Sequence, residues 1–422
     1  MMIEKLKLEK LELVDSLQRL GVSHHFEAEI KRILESIHID IDHKMNSCNK
    51  GDLYAIALKF RLLRQHRYNV SKFFNNFKDK FGKFKESLGE DIEGLLSLYE
   101  SSYLLMEGES ILEEARDFAT KHLKEYLKKS TYPNLTMLVS HALELLLHWT
   151  MPRMEARWFI DAYERRLDMN PTLVEFAKLD FNMVQTIHQE DLKYVLRWWE
   201  STRWRKRLPF MRCRVIENYL WSLGENGTRI NILITCLDDD YDAYGNLDEL
   251  KLLTDVVDRW DVNAVEHLPN YMKICFLGYY NWINEMAYDT LKEHGVHILP
   301  YLKRKEVNWA HSGEIPTMEE YVNHAWTSID APVMLTHSYL LRTNPITQEE
   351  LDSLENYHDL IKWPSLIVRL ADDLGTSWDE VERGDNPKLI QIYMHETGAS
   401  AEDARDHVKH LISEAWKKLN EG

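Results

Sequence analysis

The chain has 422 residues, 44% hydrophobic and 11% aromatic, enough to bury a sizeable core and too apolar for disorder. Its 52 basic and 69 acidic side chains leave a formal charge of −17, which argues against a nucleic-acid surface and against docking on anionic lipid. No apolar run approaches the roughly 20 residues of a membrane span. Cys48, Cys213, Cys236 and Cys275 form no Cys-x-x-Cys pair, so neither a disulfide framework nor a zinc site is expected and a reducing compartment fits.

The first segment, MMIEKLKLEKLELVDSL, is charged throughout and shows neither a signal-peptide core nor a visible transit peptide. Leu11, Val14, Leu17 and Leu20 form a helical stripe that Gly21 closes. The run HIDIDH, with His38, Asp40, Asp42 and His43, reads as a solvated loop. Helical spacing follows over 53–66, 95–106, 135–149, 173–199 and 271–294. Asp168-Met169-Asn170-Pro171 is the best break, with Thr172 as a cap for the next helix. Gly (16) and Pro (11) are scarce and no hairpin signal appears, so the expected fold is all-α, in two helical domains, 1–169 and 170–422.

Two acidic clusters carry chemistry. In LDDDYDAYG (237–245), Asp238 and Asp242 lie one turn apart on a helix, with Asp239 on the flank. Hard carboxylate oxygens so placed suit Mg²⁺, which completes its shell with water and phosphate oxygens. Read alone, so short a pattern better describes an acidic helix end facing water. An EF-hand is a poorer match: Asp238, Asp240, Asp242 and Glu249 have its spacing, but Ala243 stands where that loop needs Gly. In RLADDLGTSWDE (369–380), Asp372, Thr376 and Glu380 repeat every four residues, and Arg369 shares their stripe. A guanidinium among metal ligands makes sense where a diphosphate binds too; its bland alternative is an exposed salt bridge. Facing clusters with Mg²⁺ between them would let an acidic bundle hold an anionic substrate.

These motifs, with LPFMRCRVIENYLW (208–221), LELVDSLQRLGV (11–22), LKFRLLRQHRYNV (58–70), MEARWFIDAYERR (154–166) and KLDFNMVQ (178–185), resemble the plant terpene synthases of the mint-type monoterpene group over nearly the whole chain. The resemblance implies that the C-terminal domain is a class I terpenoid synthase helical bundle. It implies a lyase that ionises geranyl diphosphate to a monoterpene and diphosphate, in the plastid or otherwise the cytoplasm, as a monomer or weak dimer. Asp238, Asp239 and Asp242 would bind two Mg²⁺, and Asp372, Thr376 and Glu380 a third, all with diphosphate and with Mn²⁺ as an alternative metal. Arg212, Arg214 and Arg369 would grip diphosphate. Trp221 and Asn231 match cavity positions, and Thr327 to Pro332 matches a helix break facing the cavity. Trp221 is read equally well as plain core.

The chain departs from the family pattern at particular places. Cys213 replaces an Asp between Arg212 and Arg214, and Asp240 replaces an apolar residue. The stretches from Trp221 to Asn231 and from Leu302 to Tyr321 are short, the tandem-arginine segment is absent, and the chain ends at Gly422. Two further readings therefore stand beside the first: a homologue that folds without turnover, and a sesquiterpene synthase acting on farnesyl diphosphate.

Overall fold

Apolar side chains at helical spacing need a partner surface, and among the described residues they gather into three buried clusters. The protein is seen in a computed structural model that describes residues 2–43, 52–70, 73–129, 132–222, 224–240, 245–303, 317–327, 329–343, 345–355, 358–383 and 388–422. Asp242 and the side chains of Asp238 and Glu380 lie outside what is described. The described residues hold no β-strand, only an isolated bridge between Lys78 and Phe84. None of their helices is long and apolar enough to cross a membrane.

Two units divide the chain, Met1–Thr186 and Ile187–Gly422. In the first, α1 (Met2–Arg19), α2 (Glu27–His43), α3 (Leu53–Gln65), α4 (Ile92–Ser102) and α5 (Ser110–Lys129) precede α6 (Pro133–Glu144), α7 (Pro152–Glu164) and the start of α8 (Pro171–Thr202). The α1 stripe of Leu11, Val14, Leu17 and Leu20 is buried, and Gly21 ends it at a φ of 75° that L side chains rarely adopt. Asp52 caps α3, and Pro133 and Pro152 open α6 and α7 at positions that need no amide donor. Charge is buried here too: Arg61 Nη2 donates to Asp15 Oδ1 at 2.6 Å, and Arg19 bonds both Asp15 and Glu100.

The second unit contains α9 (Trp204–Arg207), α10 (Val215–Ser222), α11 (Glu225–Asp239), α12 (Leu247–Arg259), α13 (Asn270–His294) and α14 (Leu299–Lys303). It continues with α15 (Met318–His324), α16 (Ala331–Arg342), α17 (Gln348–Glu355), α18 (Asp359–Arg383), α19 (Leu389–Thr397) and α20 (Ala401–Glu421). One core gathers Ile230, Leu233, Phe276 and Ile283 around α11 and α13; a smaller one gathers Leu370, Ile390 and Val408 around α18 to α20. Helix α16 packs against both α11 and α18, which brings the two acidic segments into one bundle.

Several expectations are corrected. The division falls at Thr186, inside α8, rather than at 169: Val174 and Ala177 join the first core while Val195 and Trp199 join the second. Asn170, not Thr172, caps that helix, its Oδ1 accepting from the amides of Thr172 and Leu173. HIDIDH lies in the last turns of α2 instead of a loop. Cys236 and Cys275, 39 residues apart, form a disulfide pair with Cα atoms 6.1 Å apart, because α11 packs on α13. Cys213 is free and exposed.

Candidate metal and diphosphate site

Helix α11 carries the first acidic cluster in its last turn. Asp239 is 2% exposed, and both its oxygens are engaged by Arg212: the backbone amide donates to Oδ2 at 2.9 Å and Nε to Oδ1 at 2.6 Å. Arg212 itself stays half exposed, its guanidinium held from one side. Arg214 is exposed. The buried carboxylate thus aims one of the three expected arginines, a charge-assisted contact in a setting of reduced dielectric.

Asp240 turns the other way. It is fully buried, both carboxyl oxygens lack a partner among the described residues, and burial, with Asp239 adding to it, pushes its carboxyl up to about 7. The EF-hand alternative fails here, because its first acidic positions lie in a helix. Its twelfth, Glu249, belongs to a capping box: Oε2 accepts from the Asn246 amide and from the Tyr271 hydroxyl at 3.0 Å.

Helix α18 carries the second cluster. Arg369 is 7% exposed, with Nε 2.9 Å from Asp373 Oδ1 and Nη2 2.5 Å from Asp372 Oδ2. The pair is therefore a buried network, not the exposed salt bridge of the bland reading. Burial works against the guanidinium charge, but Asp373, then Tyr321 and Asp372, outweigh it and hold Arg369 protonated. Asp373, fully buried, also accepts from the Tyr321 hydroxyl at 3.0 Å. Asp372 remains partly open. Thr376 Oγ1 donates to the Asp372 carbonyl at 2.9 Å, which leaves its lone pairs facing outward as acceptors.

The expected helix break is present. A short 3-10 turn, Ala325–Thr327, ends α15, and α16 restarts at Ala331 with Pro332 in its first turn. Thr327 is half-buried, its hydroxyl donating to the His324 carbonyl. Asp330 sits in this break against the second cluster: burial raises its carboxyl and Asp372 adds to that, while its own backbone amide and Arg369 pull the other way.

Asn231, 7% exposed, is buried in α11 with Oδ1 unpartnered among the described residues. Trp221 is 79% exposed and so is neither core nor the wall of an enclosed cavity. A cavity of about 240 Å³ lies at the opposite end of α11, lined by Arg229, Glu285, Asp289 and Glu293; no motif residue lines it.

Asp373, Tyr321 and Asp330 were missed by sequence reasoning. Asp373 had a signal, standing four residues after Arg369 on one helix, and Asp330 lay inside the expected break at 327–332 without being singled out; Tyr321 had none, because only packing brings it there.

The donor set is all oxygen, with open acceptors on Asp372 and Thr376, and suits a hard divalent cation. Comparison with known proteins agrees. Residues 200–418 match the family described as "Terpene synthase family, metal binding domain", and residues 1–143 match "Terpene synthase, N-terminal domain". The chain is 55% identical to a (-)-alpha-terpineol synthase of Vitis vinifera over 444 aligned positions, covering 100% of this chain and 75% of that protein. It is 54% identical to a chloroplastic myrcene synthase of Quercus ilex, covering 100% and 74%. Among solved structures, the isoprene synthase of grey poplar (Populus x canescens) in complex with three Mg²⁺ ions and dimethylallyl-S-thiolodiphosphate superposes with a TM-score of 0.92 at 43% identity, covering 98% of this chain and 83% of that one.

Proposed function

The chain belongs to the terpene synthase family, and we propose that it is a Mg²⁺-dependent lyase that ionises geranyl diphosphate to a monoterpene and diphosphate. The observation that carries this reading is the pair of carboxylate-anchored arginines, Arg212 on Asp239 and Arg369 on Asp372 and Asp373, in one bundle. Relatives named for monoterpenes support the ten-carbon substrate, and the chloroplastic ones support a plastid setting.

Asp238, Asp242, Asp372, Thr376 and Glu380 would hold the metal, three ions in all, which when bound with substrate neutralises charge developing on the departing diphosphate. In this arrangement Asp239 anchors Arg212 and adds charge nearby. Arg212, Arg214 and Arg369 donate to diphosphate oxygens as the carbon–oxygen bond breaks and its electron pair passes to the leaving group. The two anchored guanidiniums are fixed before substrate arrives, so little reorganisation is needed when charge develops.

Purified protein incubated with geranyl or farnesyl diphosphate and Mg²⁺, with volatiles identified by mass spectrometry, tests the proposal. A monoterpene from geranyl diphosphate that is lost in Asp238→Ala is expected. A product from farnesyl diphosphate alone would make it a sesquiterpene synthase. The exposure of Trp221 favours the remaining reading, a folded homologue that holds diphosphate without turnover, because water quenches a carbocation. Absence of product from both substrates would establish that reading.

A further inference from the structure

The left-handed turn at Gly21 sends the chain into a single 3-10 turn, Ser23–His25. No side chain fits at Gly21: a Cβ there would meet the Ala156 Cβ at 2.9 Å and lie 3.5 Å from Arg153 Nη1, so the end of α1 rests directly on α7. His24 and His25 project from this turn toward α8, about half exposed, with ring centroids 4.0 Å apart. Both aim Nε2 at one atom, Asp180 Oδ1, at 3.3 and 2.8 Å. Asp180 is 7% exposed, and its other oxygen accepts from Arg153 Nη1 at 3.0 Å.

We propose that His24, His25 and Asp180 form a second metal site, for a nitrogen-binding transition-metal dication such as Zn²⁺, separate from the Mg²⁺–diphosphate site. A tetrahedral dication with bonds of about 2.0–2.2 Å sets neighbouring donor atoms about 3.3–3.6 Å apart. The three donors here all lie within 4.8 Å of one another, and His24 Nε2 already stands 3.3 Å from Asp180 Oδ1. Two imidazoles select against Mg²⁺ and Ca²⁺ and in favour of zinc or cobalt. Arg153 occupies the second carboxylate oxygen, which leaves Asp180 a single, oriented ligand atom, as an outer-sphere partner does in built metal sites. The open side of the two rings leaves a fourth position to water. Nothing in the diphosphate chemistry uses these residues.

The test uses the full chain, stripped by chelator and titrated with Co²⁺ in the absence of diphosphate. A single Co²⁺ per chain is expected, with the visible absorption of nitrogen-bound cobalt, abolished when Zn²⁺ displaces it. The double substitution His24→Gln and His25→Gln should remove the absorption and weaken binding by more than the roughly 10–100-fold that loss of an outer-sphere partner costs. Its metal-free melting curve should match the parent's. Asp372→Asn should keep the absorption, which separates this site from the diphosphate site. No cobalt band in the parent, or a band that survives the double substitution, overturns the proposal. If the double variant does not fold, each single substitution must shift the band and weaken binding, and an unchanged band overturns it equally.

Discussion

Arg369 reaches two carboxylates with one planar guanidinium, a contact that an ammonium cannot reproduce. Arg369→Lys should therefore weaken Mg²⁺-dependent inhibition by inorganic diphosphate about tenfold although the charge is kept. Unchanged inhibition would remove Arg369 from the site. Asp240 presents the reverse situation, a buried carboxyl with no described partner. Asp240→Val should raise stability by about 1–3 kcal/mol, because an orphaned polar group is replaced by an apolar one; a lower melting temperature would contradict this. His148 supplies a pH dependence. Its Nδ1 accepts from Gln65 and its Nε2 donates to the Glu100 carbonyl, so its partners suit the neutral ring. Burial, with Arg61 next, pushes it down to about 3. The unfolded residue titrates near about 6.5. The stability this residue contributes is thus fully present above that pH and is lost as pH falls toward 3, at up to about 1.4 kcal/mol per pH unit. Melting curves of His148→Gln should be flatter over that window than the parent's, and parallel curves would show that the ring is not what titrates.

At the scale of elements, the termini of α11 and α12 frame the segment that contains Asp242. Asn246 accepts from the amides of Asp248 and Glu249 at 3.1 Å, and Glu249 returns a bond to the Asn246 amide. Asn246→Ala should cost about 0.5–2 kcal/mol in thermal or urea unfolding, the ordinary worth of such a cap. Unaltered unfolding would mean that packing of Leu250 and Leu253 alone holds this helix start. The long helices were legible as periodic apolar stripes, and α3, α8 and α13 end within a few residues of their expected limits. Those at 95–106 and 135–149 stop early, α4 at Ser102 and α6 at Glu144. Their apolar pattern runs on into turns that are still partly buried, and periodicity reports burial rather than hydrogen bonding.

For the molecule as a whole, the acidic balance makes substrate binding depend on cations. Mg²⁺ held by carboxylates needs phosphate oxygens to complete its shell. Mg²⁺ and inorganic diphosphate together should therefore raise the melting temperature well beyond the sum of their separate effects, since the combined ligand binds only the folded state. A scan with each alone, both together, and Ca²⁺ alone checks this. Stabilisation by Ca²⁺ alone, with nothing added by diphosphate, would sink the assignment of the site.

What the sequence by itself determined was the all-helical class and the two acidic clusters with their arginines. These depend on spacing of one helical turn or less, which the chain order records directly. The family, too, was readable from runs such as LELVDSLQRLGV and KLDFNMVQ, and the matched domains confirm it. Only the tertiary structure decided which partners those residues meet. Arg212 finds Asp239 across 27 residues, Tyr321 finds Asp373 across 52, and His25 finds Asp180 across 155. It also put Trp221 in solvent and Cys236 beside Cys275. Such pairings follow from which helix faces pack together, and helix packing is set by the sum of many weak apolar contacts spread along the chain.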